Sequence, residues 1–231
     1  MRRFSFVRET AVGLGSYAAY LAVRELVMRN GGRTRAARNA ARICELEERL
    51  GLHVEPRVQA RLLRHPRLLA TLNVSYVTLN IALTVGRLAH LYRRRDPSFH
   101  RLRRAAALSF VGACPVFLSF PCDPPRTLDH FVDTVGEVLD LDSGPVVRLY
   151  NPVAAMPSIH LAFAVVTGVG LVEAGRSPLA RVLGVAYPPA VFATVVATAN
   201  HYVLDGIAGS VLALAALRVS RLLEPAGTSA S

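Results

Sequence analysis

The sequence predicts an all-α fold, a polytopic membrane helix bundle of about six transmembrane helices. Apolar residues make up 52% of the 231-residue chain and are gathered into blocks rather than dispersed with a surface period. Residues 68–86, 105–121 and 151–172 carry no acidic or basic charge beyond the neutral His160, and 182–217 carries only Asp205. A bilayer core of about 30 Å takes about 20 apolar residues in a helix, and these blocks meet or approach that length. Mean hydropathy is +0.34.

The first span is expected at about 10–28, with Arg24 and Glu25 snorkelling toward one interface. Arg2 and Arg3 before an apolar run imitate a secretory signal, but Arg8 and Glu9 interrupt the run and further spans follow, so this helix reads as uncleaved. Residues 31–66 are charged and helix-prone. Ile43, Leu46 and Leu50 share one face there, which fits either an amphipathic helix on the membrane surface or a solvated helical loop. The second span covers about 68–92 and the third about 104–121. The fourth runs from Pro157 to Glu173. The fifth covers about 180–199, with Pro188 and Pro189 placed to kink it, and the sixth about 201–223. Residues 1–67 thus form a first helix with a charged amphipathic segment, 68–223 a membrane domain and 224–231 a disordered tail.

The formal net charge is +11, and all 27 basic residues are arginine. The arginines flank apolar blocks, a placement suited to anionic headgroups and topology control rather than to nucleic acid. By contrast, 122–156 is rich in Asp and Pro, the balance of a loop facing away from the cytoplasm. Arginines in 33–67 would then lie on that same side, so that segment either lies flat among headgroups or follows a first helix that does not cross. Cys44, Cys114 and Cys122 show neither a zinc nor a disulfide spacing and read as free thiols, with Cys122 the most accessible.

Two motifs carry chemistry, each at the start of an apolar block. In Met156-Pro157-Ser158-Ile159-His160, proline suits a helix's first turn, and the free amides there with the Ser158 hydroxyl suit an anion such as phosphate. His160 is placed to protonate a leaving oxygen. The structural alternative is a serine-capped helix with a locally bonded histidine. In Asn200-His201-Tyr202-Val203-Leu204-Asp205, positions i and i+4 share a helix face, so Asp205 can orient the His201 imidazole and raise its nucleophilicity. A lone carboxylate at the centre of a bilayer costs about 2.5–3.5 kcal/mol on insertion scales, so Asp205 requires a partner. The alternatives are a structural His–Asp pair, or a metal site from His160, His201 and Asp205 that is short of ligands.

Together, Pro157-Ser158-Ile159-His160 followed by His201-x-x-x-Asp205 resembles the phosphatidic acid phosphatase type 2 superfamily, over roughly residues 70–220. The sequences 151–158 and 200–209 look most like the branch that includes inositol phosphorylceramide synthases and actinobacterial relatives, where isoleucine or leucine stands in the position of Ile159. The resemblance implies His201 as the nucleophile forming a phosphohistidine, Asp205 orienting it, His160 as general acid and Ser158 binding phosphate, with no cofactor or metal. The wider pattern carries an arginine six residues before the nucleophile, where this chain has Val195, and an early lysine–arginine element that a chain without lysine lacks. Pro124-Pro125-Arg126 matches a proline-proline-arginine element of the branch, which makes Arg126, with Arg148 behind it, the expected phosphate ligand.

The implied function is an integral membrane phosphatase or phosphotransferase acting on a lipid phosphate, isoprenoid or glycerophospholipid. It would sit in the cell membrane, with its active site on the extracytoplasmic face and membrane lipids as its partners. The residues alone leave open a non-enzymatic transporter or lipid-binding protein in which the His/Asp cluster relays ions or protons.

Overall fold

Each apolar block folds as a helix, and capping residues set where it begins. The computed structural model describes residues 4–136, 151–175 and 177–224. Helix α1 (Phe6–Arg29) starts at Ser5, whose Oγ accepts from Arg8 N. Helix α2 (Gly32–Leu50) lies between Gly31 and Gly51, with φ of 67° and 69°, left-handed values that glycine adopts without steric cost. Short helix α3 (Glu55–Leu62) follows. Helix α4 (Pro66–Val74) runs through a π-helical turn (Ser75–Leu79) into α5 (Asn80–Arg93). Helix α6 (Phe99–Ser119) leads to a 3₁₀ turn (Pro125–Thr127), and α7 (Ile159–Ala174), α8 (Pro178–Ala197) and α9 (Val203–Leu222) complete the bundle.

All six expected stretches are helical. Helices α6, α8 and α9 are each long and apolar enough to cross a membrane, and α7 is a shorter apolar helix. Apolar side chains face outward: Val182 and Val185 on α8, and Ile207, Val211 and Leu214 on α9 at i, i+4 and i+7, are all exposed. That inside-out pattern suits a lipid solvent, and this is a membrane protein. The core is built where α6, α7 and α9 meet, from Leu102, Ala105, Ala106, Ala162, Val166, Ala213 and Leu217. Gly168 and Gly184 bring the α7 and α8 backbones together, since a Cβ at either would lie within 2.6 Å of the other's carbonyl oxygen.

Several boundaries differ from expectation. Helix α6 begins five residues earlier than the block suggests, because Arg101 and Arg103 are neutralised by Glu173 and Glu9 at that end of the bundle. Helices α7 and α9 begin after, not at, Pro157 and His201. Helix α8 runs through Pro188 and Pro189, as the expected fifth span does. On α2 the buried stripe is Ala36, Asn39, Ala40, Ile43, Cys44 and Glu47, whereas Leu46 and Leu50 are exposed. This stripe packs Ala40, Ile43 and Cys44 with Cys122, Ala155 and Tyr202, and also meets backbone groups: Asn39 Nδ2 donates to Pro121 O and Asp123 N donates to Ala36 O. Residues 32–62 therefore lie across the end of the bundle that carries the C-terminus of α6 and the N-termini of α7 and α9. At the corner of α2 and α6 a recess of about 250 Å³ is lined by Arg35, Arg38, Asn39, Arg42, Ser119 and Phe120. Cys122, expected to be the most accessible thiol, is fully buried, because its backbone pairs with Val153 and Ala155 and seats its side chain inside.

Candidate active site

Both sequence motifs meet at this covered end. Ser158 is the N-cap of α7: its Oγ accepts from Leu161 N at 3.3 Å, and its own N donates to the Asp205 carbonyl at 3.0 Å. Pro157 therefore precedes the cap rather than opening the helix. Ser158 is wholly buried, and His160 emerges one turn-position further on. Gly209 on α9 makes this packing feasible, since a Cβ there would stand 2.1 Å from Ser158 O.

His201 lies just outside α9, in the turn from α8. Ala199 has φ of 52°, a left-handed conformation that costs a residue with a Cβ about 1–2 kcal/mol. The turn holds it there: Asn200 N and His201 N both donate to Val195 O, and Arg126 N donates to Ala199 O. His201 Nδ1 is 3.3 Å from Asp205 Oδ2, the same oxygen that accepts from Tyr202 N at 3.0 Å. The i,i+4 contact is thus made, although through a capped helix start rather than along a helix face. The other ring nitrogen, His201 Nε2, stands 3.4 Å from His160 Nδ1. His160, His201 and Asp205 form one connected row.

The row borders a cavity of about 120 Å³, equal to about four waters at liquid volume. His160, His201, Asn200 and Asn151 line its polar side, and Tyr20, Tyr76, Phe110 and Phe117 give it aromatic walls. Asn151 Oδ1 accepts from Val153 N, while its buried Nδ2 has no hydrogen-bond acceptor among the described residues. Arg126 is buried behind Asn200: Nη1 donates to Asn200 Oδ1 at 3.0 Å and Nε to Asp133 Oδ1 at 3.2 Å. Arg148 lies outside the described residues.

Two residues of the row's support were not foreseen. Tyr76, in the π-helical turn, lays its ring on that of His160 with centroids 4.3 Å apart. Asn80 Nδ2 donates to His160 O at 2.9 Å and its Oδ1 accepts from Tyr187 OH. Single-turn π-helical segments recur at functional sites, but no residue pattern in 75–79 announces one.

Behind His201 lies a second polar cluster. Glu47 and Glu55 are both fully buried; Glu47 Oε1 accepts from Leu204 N at 2.6 Å and Glu55 Oε1 from Val203 N at 2.8 Å. Burial, then the neighbouring Glu55 carboxyl, holds Glu47 well above the usual carboxylate range, against the pull of the Leu204 amide. Burial and the carboxylates of Glu48, Glu47 and Glu55 push the Cys44 thiol up to about 11. Two sets of donor atoms here, Cys44/His53/His130 and Glu47/His53/Glu55, are mutually within 4.8 Å, and neither set includes His160, His201 or Asp205.

The family described as the PAP2 superfamily matches residues 41–219, a stretch that begins within α2 and takes in both histidines, Asp205 and the buried glutamates. Neither the curated proteins nor the solved structures give a match.

Proposed function

The chain belongs to the PAP2 superfamily, a superfamily of phosphatases and phosphotransferases, and from that premise we propose that it transfers the phosphoryl group of a lipid phosphate through His201. One observation supports this most: a single imidazole with one nitrogen 3.3 Å from a buried carboxylate and the other 3.4 Å from a second imidazole, beside a cavity. Nδ1–H of His201 donates to Asp205, which leaves the Nε2 lone pair for phosphorus. As the N–P bond forms, the P–O bond to the leaving group breaks and that oxygen takes the proton of His160. In the second step a hydroxyl attacks phosphorus, its proton returns to His160, and the N–P bond breaks to regenerate His201.

Water as the second acceptor makes the protein a phosphatase; a lipid or polyol hydroxyl makes it a phosphotransferase, as in the inositolphosphotransferase-like branch. The aromatic walls suit an isoprenoid or acyl chain next to the phosphate. Phosphate oxygens face the Asn151 amide, with Arg126 supplying positive potential through Asn200. Ser158 serves as the cap that places His160. The active-site end faces away from the cytoplasm in the cell membrane, which sets the arginines of 93–104, Arg218 and Arg221 inside and those of α2 and α3 outside.

The test is a panel of radiolabelled isoprenoid and glycerophospholipid phosphates, with and without inositol. Labelled phosphate release, or label appearing on the polyol, is the expected product. His201→Ala should lower kcat at least about 10³-fold and His160→Ala about 10²–10⁴-fold, in proteins that fold and insert normally. Full activity of His201→Ala would sink the mechanism.

A further inference from the structure

The first turn of α9 directly follows the nucleophilic histidine, and its amides are taken by carboxylates from three places in the chain. Tyr202 N donates to Asp205, Val203 N to Glu55 and Leu204 N to Glu47. Glu47 sits on α2 and Glu55 at the start of α3, about 150 residues away in sequence. A helix N-terminus carries roughly half a positive charge, which cannot balance three buried carboxylates. The outer oxygens, Glu47 Oε2 and Glu55 Oε2, have no hydrogen-bond donor among the described residues. His53 Nδ1 stands 3.5 Å from Glu55 Oε2, too loose for a strong bond, and no arginine is paired with either glutamate among the described residues. One proton held between the two carboxyls supplies the absent donor and removes one charge.

We propose that Glu47 and Glu55, sharing a single proton, are positioning residues that clamp the first turn of α9 and so fix His201 and Asp205 for attack. The inference rests on His201 being the nucleophile. The groups facing the pair are Cys44 and Glu48 from α2, His53 from the turn before α3 with His130 beside it, Cys122 after α6, and His201, Tyr202 and Asp205 at the start of α9. None of these is a fixed cation. Loss of the shared proton leaves adjacent negative charges behind His201 and loosens the clamp, so activity falls on the alkaline side.

The experiment uses the full chain in detergent with dioctanoyl phosphatidic acid as substrate, and follows kcat and KM from about pH 5 to about pH 10. Glu47→Ala should lower kcat at least tenfold with KM within threefold, because Leu204 N is abandoned and α9 shifts. Glu47→Gln should rescue kcat to within about threefold at neutral pH, since its carbonyl oxygen accepts from Leu204 and its NH₂ replaces the shared proton toward Glu55. It should also shift the alkaline limb of the wild type, leaving only the decline set by loss of the His160 proton. Wild-type kcat in Glu47→Ala, or an unchanged alkaline limb in Glu47→Gln, overturns the proposal. So does one equivalent of zinc in the purified protein whose removal by a chelator lowers thermal stability, because the outer oxygens would then serve a metal. His201→Ala is run alongside. If it is inactive while Glu47→Gln keeps the wild-type limb, only the clamp fails; if it is active, the phosphohistidine reading fails and the clamp with it.

Discussion

Gly209 shows how strongly a single position constrains the row of His160, His201 and Asp205. With Ser158 O standing where its Cβ would be, Gly209→Ala must push α9 away from the cap of α7. Overpacking of this kind costs about 1–3 kcal/mol, and here the strain falls on the two segments that carry His160 and His201. The expected outcome is a lower melting temperature in detergent and a kcat loss larger than the stability change explains, read by thermal unfolding and by turnover at a temperature where the variant stays folded. At this scale the sequence is readable where partners are local. His201 and Asp205 are four residues apart, and Ser158 with His160 shares one turn, so short motifs place them. Glu47, Glu55, Tyr76 and Asn80 reach the site only through packing of distant helices, and nothing in their immediate neighbours announces it. The misplaced helix starts have a simpler cause: Ser158 and Tyr202 act as caps, so each helix begins two residues after the residue expected to open it.

Among the elements, the π-helical turn between α4 and α5 has a defined task. It sets Tyr76 against the His160 ring while Asn80, on the continuing helix, bonds the His160 carbonyl. Deleting Thr78 should remove the extra residue that the wide turn accommodates and restore a regular α-helical path, shifting the side chains of the turn between flanks that keep their places. Tyr76 and Asn80 then cannot both reach His160. Activity should fall at least about 10²-fold while circular dichroism retains the helical content; a fully active deletion would show that this turn does not position the proposed general acid. The apolar blocks made the helices legible because a membrane helix is recognised by length and hydropathy alone. The π-helical turn was not legible, since Ser75–Leu79 differs from its flanks in backbone pattern rather than composition. Nor was the whole face of α2: Ile43 is buried as expected, but Ala36, Asn39, Ala40, Cys44 and Glu47 complete the stripe while Leu46 and Leu50 are exposed.

For the molecule as a whole, charge is divided between two ends. Arg101 and Arg221 meet Glu173, and Arg103 meets Glu9, at one end; α2 and α3 spread arginines across the other, over the histidine row. The proposed orientation puts the second end outside. All three native thiols are buried, so a new exposed cysteine reports with little background. Arg38→Cys, in the recess between α2 and α6, should react with a membrane-impermeant maleimide added to intact cells; labelling only after lysis would reverse the orientation. The arginines of 33–67 were the obstacle to an orientation from sequence. Most of them sit on a helix pair that roofs the site, and a count of charges per loop has no means of telling a roof from a strand of cytoplasmic linker.

The aromatic wall where Tyr20 of α1 meets Phe110 and Phe117 of α6 has a kinetic corollary. If the proposed lipid phosphate reaches the two histidines past this wall, with α2 and α3 above, it travels sideways within the leaflet. Such a catalyst samples molecules per unit area, not per unit volume. Adding inert detergent or phospholipid at constant bulk concentration of the reacting lipid then slows turnover in proportion to surface dilution, and saturation is expressed as a mole fraction.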